Sequence, residues 1–511
     1  MALAPDTLPD DIEALKTLLV EERRKNAHLL EQLNLLLSKR FGPSSEKLPA
    51  DQLRLFNEAE QDASEADDAA TQADTVTVAG HQRTKRGRKP LPDYLPRVEI
   101  LHDLADEDKL CPCGCGAMVK IGEDVSEQLD VIPAKVQVLR HIRPRYACRD
   151  CGEGGVRQAP MPAQPIPKSL AAPGLLAHVA TAKYVDALPL YRQEAILQRA
   201  GIELPRATLA NWMVRSGELI QPLMNLLRDH LLAYDILQMD ETTVQVLREP
   251  GRAAQSQSYL WVQRGGPPDK PVILYDYDPS RGQAVPERLL GGFAGFLQSD
   301  GYDGYHGVAR SPHITAVGCW AHARRKFDEA VKAQGKKGKP KAGRATHGLG
   351  FIQKLYRIER LYQDATPEAR HAARSQQARP LLDEMRTWLE TSLPQVPEQS
   401  AVGKALGYLA NQWDRLVRYL DDGRINIDNN ACENAIRPFV VGRKNWLFSN
   451  TPKGVTASAH LYSLIETAKA NGLEPYAYLR YVFTQLPAAQ TVTNFEALLP
   501  FNLTSDQIRL L

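Results

Sequence analysis

Residues 236–247 read "ILQMDETTVQVL", an apolar, β-branched run with two adjacent acids, Asp240 and Glu241, set inside it. Val, Ile and Thr at this density favour a strand. An ionised carboxylate within such a strand needs a partner or a metal. Two further β-rich runs follow across short turns, "SYLWVQRG" (258–265) and "PVILYDYD" (271–278). Next come a short helix candidate, "GQAVPERLLGG" (282–292), a fourth strand, "GFLQSD" (295–300), and a fifth, "HITAVGCW" (313–320), leading into the helical "AHARRKFDEAV".

Three antiparallel strands followed by helix, strand, helix and strand is the element order of a ribonuclease H-like fold, in which the first and fourth strands are neighbours. Asp240 on the first strand and Asp300 at the end of the fourth then converge on one edge of the sheet. Asp303 in "DGYDGY" reads as an ordinary turn residue. A third acid comes from "DNNACENAIRPF" (428–439). There the spacing of Asn430 and Glu433 predicts a capping box, and Pro438 predicts a helix of about two turns. Two aspartates and a glutamate can hold two Mg²⁺ ions about 4 Å apart, the clamp used for in-line attack on a phosphodiester. Hard oxygen ligands suit Mg²⁺.

The chain is 511 residues long, 43% hydrophobic and 24% charged, with a net charge of +2. These are the values of a multidomain globular protein. No apolar run reaches the length of a membrane span, and "MALAPDTLPDD" lacks the basic and apolar regions of a signal peptide, so a cytoplasmic protein without membrane partners is expected. Five of the seven cysteines cluster, at Cys111, Cys113, Cys115, Cys148 and Cys151. "CPCGCG" and "CRDC" are knuckle-like turns that predict one structural Zn²⁺, held by Cys148, Cys151 and two of the three upstream thiolates.

Residues 10–42 carry a heptad register, Ile12, Leu15, Leu19, Glu22, Asn26, Leu29, Leu33 and Leu36. It predicts a parallel coiled coil that makes a homodimer or higher assembly; the alternative is an amphipathic helix packed on its own protein. Residues 43–95 read as a linker, first acidic, with seven acids and no base between Glu58 and Asp74, then basic. The basic part, "RTKRGRKP" (83–90), brings Arg83, Lys85, Arg86, Arg88 and Lys89 together. This strip is either an AT-hook-like minor-groove binder or a solvated tether, and both attract phosphate. "LPLYRQEAILQRAGIELPRATLANWMV" (188–214) reads as helix, glycine turn, helix, with Ala195, Ile196, Ala200, Leu204, Leu209 and Trp212 inside and Arg206, Thr208 and Asn211 on the outer, DNA-facing side.

Taken with "SKRFGPSSEKL", "IGEDVSEQLD", "YACRDC", "TLANWM", "MDETTVQVL", "SDGYDGY", "CWAHARRKF", "DDGRINIDNNACENAIRPFVVGRKNWLF" and "LYSLIETAKANGLEPYAYL", the chain resembles the transposases of the insertion-sequence 66 type over nearly its whole length. The resemblance maps that family's DDE triad onto Asp240, Asp300 and Glu433. It implies Mg²⁺, for which Mn²⁺ can substitute, DNA as partner at transposon ends and target, small accessory proteins of the same element, and a bacterial, nucleoid-associated location. "CPCGCG" departs from the family's usual C-P-x-C-G, and Cys432 stands where the family often has alanine.

The expected class is a multidomain α+β protein. A coiled coil (10–42) and linker (43–95) precede a zinc-binding module (100–160) and a helical region with the helix-turn-helix (165–230). The ribonuclease H-like catalytic domain comprises 231–332 and 423–472, interrupted by an all-helical insertion with a basic loop (333–422), and a helical region (473–511) follows. His322, in a C-x-x-H pattern, either touches the scissile phosphate or is an ordinary core or surface histidine. Arg324, Arg325, Arg437, Arg443 and Lys444 flank the acids and suit phosphates. The expected function is a transposase that binds terminal inverted repeats, cuts the ends by metal-dependent hydrolysis and joins the 3′-hydroxyls to target DNA. The alternatives are a nuclease without strand transfer and a non-catalytic DNA-binding regulator.

Overall fold

The structure is a computed structural model that describes residues 11–41, 136–147, 156–333 and 343–509, with the backbone alone at 38–41, 147, 156 and 157. Helix α1 (Ile12–Phe41) lies against the body through the side of the helix that carries Glu31 and Asn34. Its heptad side stays open: Ile12, Leu19, Leu29, Leu33 and Leu36 are all more than half exposed. The short strands β1 (Arg145–Ala147) and β2 (Val156–Gln158) pair antiparallel and bracket residues 148–155.

Helices α2 (Pro173–Tyr184), α3 (Leu190–Arg199), α4 (Arg206–Leu219) and α5 (Gln221–Ala233) follow. In the α3–α4 pair, Leu197, Leu204, Leu209 and Trp212 are buried as the pattern requires. Ala195, Ile196 and Ala200 are exposed, contrary to the sequence expectation. Gln193 takes the inner position instead, because its amide donates to the carbonyls of Val179 and Leu188 and so ties α3 to the preceding helix.

The central sheet contains β3 (Ile236–Gln245), β4 (Gln257–Gly265), β5 (Val272–Asp278), β6 (Gly295–Gln298) and β7 (Ile314–Val317), in the spatial order β5-β4-β3-β6-β7. The first three are antiparallel, and β6 and β7 run parallel to β3. Helix α6 (Ala284–Leu289) precedes β6, whereas two 3₁₀ turns, Asp303–Tyr305 and Val308–Arg310, stand between β6 and β7 where a helix was expected. Gly301, Gly304 and Gly307 in this stretch disfavour a longer helix.

After β7 come α7 (Trp320–Ala333) and the helical insertion, made of α8 (Arg344–Leu361), α9 (Pro367–Ala373), α10 (Arg379–Ser392) and α11 (Ala401–Leu416). A π-turn, Arg374–Ala378, joins α9 to α10. The insertion builds its own core with α7, around Trp320, Phe327, Ile352, Leu406 and Trp413. Fully buried Arg374 anchors it. Its guanidinium meets both carboxylate oxygens of Glu359 (2.9 and 2.7 Å) and donates to the carbonyls of Tyr419, Asp422 and Ile425.

Helices α12 (Asn430–Trp446), α13 (Pro452–Ala470), α14 (Pro475–Gln485), α15 (Val492–Glu496) and α16 (Ser505–Arg509) complete the fold. Pro438 does not end α12, which continues through it for 17 residues in all. The lost backbone bond costs roughly 3 kcal/mol. Burial of Ile436 and Phe439 on either side offsets it, at roughly 1.5–3 kcal/mol per side chain. Helix α13 covers the outer edge of β5 in an unusual way. Ser463 accepts the N–H of Tyr275, and Thr467 both accepts the N–H of Ile273 and donates to its carbonyl, so two hydroxyls do the work of a sixth strand. Close contact of α13 with α4 depends on Gly217, where a Cβ would stand 2.5 Å from that of Ala457.

Candidate active site

Strands β3 and β6 carry the same pattern, "LQMD" and "LQSD", and they run parallel in register with Gln238 opposite Gln298. Asp240 and Asp300 each lie two residues beyond that pair, so the sheet delivers both acids to one end. The two glutamines are buried and bonded to each other at 2.7 Å. Gln298 also donates to the carbonyl of Asn426 (2.8 Å) and Gln238 to that of Asp428 (3.4 Å), while Asn429 donates to the carbonyl of Met239 (3.0 Å). This buried amide network fastens residues 426–429, and with them the first turn of α12, to the two strands that carry the aspartates.

The expected capping box does not form. Asn429 is the cap residue and its side chain makes no capping bond, because it is committed to β3; the N–H of Asn430 is taken by Asp428. Glu433 is therefore free of capping. Its Oε1 lies 3.7 Å from His322 Nδ1, and its Oε2 lies 3.7 Å from Arg325 Nη2. Both Oε1 and that Nδ1 are buried without a hydrogen-bond partner. Burial chiefly lowers the pKa of His322, so its ring is neutral and offers a lone pair.

Asp240 responds most strongly to the site. Burial first, then the charge of Glu241, with smaller contributions from Asp300 and Glu433, push its pKa up to about 8. A buried acid raised by its acidic neighbours in this way is relieved by a cation. The orphaned Glu433 oxygen and the hard-oxygen character of the three carboxylates suit a divalent ion, but among the described residues the donor atoms that gather within 4.8 Å of one another are those of Cys319, His322 and Glu433, not those of Asp240 and Asp300. Cys319, whose Sγ lies within 4.8 Å of ligand atoms of His322 and Glu433, is a weaker donor. Burial pushes its thiol up to about 12, and its sulfur accepts the N–H of Asn429.

Around the acids, Arg325 and Lys444 are exposed, whereas Arg324 and Arg437 are half-buried. The guanidinium of Arg443 is engaged by the hydroxyls of Thr242 and Thr243 on β3. Farther off, on α4, Arg206 and Asn211 are exposed and Thr208 is half-buried. The backbone N–H of Arg206 is bonded to Glu194 of α3, which fixes the α3–α4 angle. Cys111, Cys113, Cys115, Cys148 and Cys151, and the strip from Arg83 through Lys85, Arg86 and Arg88 to Lys89, lie outside the described residues.

Two features escaped the sequence reading. Glu241 faces away from Asp240 and holds Arg281 (2.6 Å) and the hydroxyl of Tyr305 (2.6 Å). Arg281 in turn stacks on Tyr302, whose backbone N–H donates to Asp300 (3.0 Å). No local pattern announces that chain of contacts. The amide network did leave a signal, the repeated L-Q-x-D, since a polar residue at the same place in two buried strands implies that the two meet.

Comparison with known proteins gives the chain's family. The model for the transposase IS66 family matches residues 168–457, that for the zinc-finger binding domain of transposase IS66 matches 108–152, and that for the IS66 C-terminal element matches 463–501. A fourth, described as transposase C of IS166 homeodomain, matches 28–100. Among relatives, the uncharacterized protein y4jD of Sinorhizobium fredii is 34% identical over 99% of this chain and 99% of its own. Protein y4qI of the same organism is 32% identical over 99% of this chain and 100% of its own; y4hP is 32% identical over 96% and 87%. The class is that of a transposase with DNA-binding regions and a zinc-finger region. The chain belongs to the IS66 transposase family. No described helix is long and apolar enough to cross a membrane.

The zinc-finger match makes metal content a direct test. Full-length protein should hold one zinc per chain, and Cys148→Ser and Cys151→Ser should each lose it, as measured by elemental analysis. The bound metal contributes on the order of 10 kcal/mol to folding of such a module, so strong chelation should render residues 100–160 protease-sensitive.

Proposed function

We propose that the chain is a Mg²⁺-dependent DNA transposase that binds the terminal inverted repeats of its element, hydrolyses the DNA at the element's ends and joins the freed 3′-hydroxyls to target DNA. The observation that carries this reading is the in-register pairing of β3 with β6, which puts Asp240 and Asp300 at one end of the sheet, together with the bonds that tie residues 426–429, and so the first turn of the Glu433 helix, to those two strands. The strand order β5-β4-β3-β6-β7, with the aspartates on adjacent parallel strands, supports a ribonuclease H-like catalytic domain. Divalent ions held by the three carboxylates supply Lewis acidity at the scissile phosphate and at the attacking oxygen.

The chain's own residues do the remaining work. The amide network of Gln238 and Gln298 keeps Glu433 in register with the aspartates. Arg325 and His322 orient the Glu433 carboxylate, and neutral His322 can accept a hydrogen bond from the attacking hydroxyl. Arg324, Arg437 and Lys444 draw the DNA backbone toward the acids. The open heptad side of α1 supports a homodimer or a higher assembly through that helix. Accessory proteins of the same element fit the same reading. The deciding experiment incubates full-length protein with labelled end DNA and a plasmid target in Mg²⁺. Joined products are expected; cleavage without joining would leave a nuclease, and binding alone a regulator.

Recognition of the ends falls to α4. Arg206→Ala or Asn211→Ala should weaken binding to end DNA by about 1–3 kcal/mol per lost base contact, with less effect on a scrambled duplex. Neutralising Arg83, Lys85, Arg86, Arg88 and Lys89 should lower affinity for both duplexes and flatten the salt dependence. A salt series with both DNAs checks the contrast; equal losses for the α4 variants on both would move specificity elsewhere.

A further inference from the structure

The last turn of α12 ends on a strained residue. Leu447 has φ +67° and ψ −51°, and the N–H of Phe448 returns to the carbonyl of Trp446 at 2.9 Å. This is a γ-turn of the rare positive-φ form, a costly conformation for a branched side chain. It is not the left-handed cap that helices commonly use, which has positive ψ. The turn is held on both sides. The N–H of Leu447 bonds to Arg443, and beyond it Ser449 and Asn450 pair with Gln245, Leu247 and Arg248 at the end of β3. Strain that the surroundings enforce so firmly marks a place with a use.

What the strain presents is apolar. Leu447 is 64% exposed and Phe448 43%. They do not stand alone: along the open side of α12, Asn434, Val441, Lys444 and Asn445 are exposed between Glu433 and the turn, with half-buried Arg437 among them. The helix thus carries a strip that starts at a candidate metal ligand, passes two bases and ends on a leucine and a phenylalanine. Basic charge along the approach suits a phosphate backbone, and Lys453 just past the turn adds to it. A greasy tip at the end of a basic strip is the chemistry of a wedge placed against stacked bases.

We propose that Leu447 and Phe448 form an apolar wedge that unstacks a base step of the bound end DNA at a fixed distance from the cleavage position. Leu447 lies fourteen positions beyond Glu433, about 21 Å at 1.5 Å per residue. At 3.4 Å per base pair, that places the wedge about six base pairs from the phosphate held by the acids. This rests on the transposase reading and deepens it, by naming a second contact on the same DNA.

The test uses full-length Glu433→Gln protein, which should leave the DNA uncut, and duplexes of the element's own terminal repeat with single 2-aminopurine substitutions scanned inward from the cleavage position. A several-fold fluorescence rise is expected, centred about six positions in, and both Leu447→Gly and Phe448→Ala in that background should abolish it. Leu447→Gly should melt no lower than its parent, because glycine adopts this φ without strain. That separates loss of the wedge from loss of the fold. A rise that persists in both variants, or no rise at any position while the duplex is bound, overturns the wedge. If wild-type protein also cuts the unlabelled duplex, the transposase reading survives that failure; if no duplex is bound at all, both fall. A change in sedimentation of the two variants, without change on DNA, overturns the wedge in favour of a contact between copies of the chain.

Discussion

Asp240→Asn, Asp300→Asn and Glu433→Gln should each lower end cleavage and joining by roughly a thousandfold or more, the scale of losing one preorganised charge-stabilising group in phosphoryl transfer. Binding of end DNA should change little, since the proposed contacts lie on α4 and the N-terminal regions. Single-turnover assays in Mg²⁺ beside filter binding separate the two effects. Strand transfer by Asp300→Asn at the wild-type rate would remove Asp300 from the site. Asp240 offers a control that needs no DNA. Its pKa in the fold is raised from the model-peptide value of 3.8 to about 8. The folded state therefore holds a proton that the unfolded chain has lost, and metal-free protein loses stability as the pH climbs through that window. Asp240→Asn removes the penalty. Its melting temperature without divalent ions should exceed that of wild type, by more at pH 8 than at pH 5, and Mg²⁺ should narrow the gap by stabilising wild type alone. An equal difference at both pH values would mean that Asp240 titrates normally.

Arg374→Leu should be the most damaging single change in the insertion, costing about 3–5 kcal/mol, because it leaves the Glu359 carboxylate without its ion partner in a low-dielectric setting. Three carbonyls lose their donor as well, those of Tyr419, Asp422 and Ile425. Ile425 immediately precedes Asn426, the residue whose carbonyl receives Gln298. Damage should therefore spread to Glu433. We expect a lower melting temperature, faster proteolysis within 343–425, and a higher Mg²⁺ concentration for half-maximal cleavage. The pair Glu359→Gln with Arg374→Met should recover part of the stability, since an uncharged pair leaves no unmatched charge. If the double variant is worse than the sum of the singles, the ion pair is not the source of the effect.

Much of this architecture could be read in the order of residues, for reasons that particular elements make plain. "ILQMDETTVQVL" and "SYLWVQRG" are strands because buried, β-branched runs of that length have few other options. Asp240 drew attention because an acid among them is expensive. Pro438 misled because a local rule was applied where tertiary packing prevails: Ile436 and Phe439 are buried whether or not residue 438 supplies a hydrogen. The Asn430–Glu433 spacing misled for a related reason, as the amide that could have capped the helix is Asn429 and it bonds to a strand 190 residues earlier. Contacts such as Glu241 with Arg281 join loops to strands at separations that no periodicity reports. The α3–α4 inner side failed at Ala195, Ile196 and Ala200: the alanines are small and carry little information about which way they face, and Ile196 lost the inner position to Gln193, whose amide is bonded to α2 and to Leu188.

The hydroxyls of Ser463 and Thr467 that finish the edge of β5 reach it from 188 and 194 residues downstream. A ribosome adding about 5–20 residues per second leaves β5 without that cover for roughly 10–40 seconds of synthesis. During that interval the nascent chain shows an open, apolar strand edge, the kind that recruits other chains. Production of this protein is thus a race between translation and self-association. Slower elongation or higher expression should each shift the yield toward aggregate, although neither alters a single contact of the finished fold.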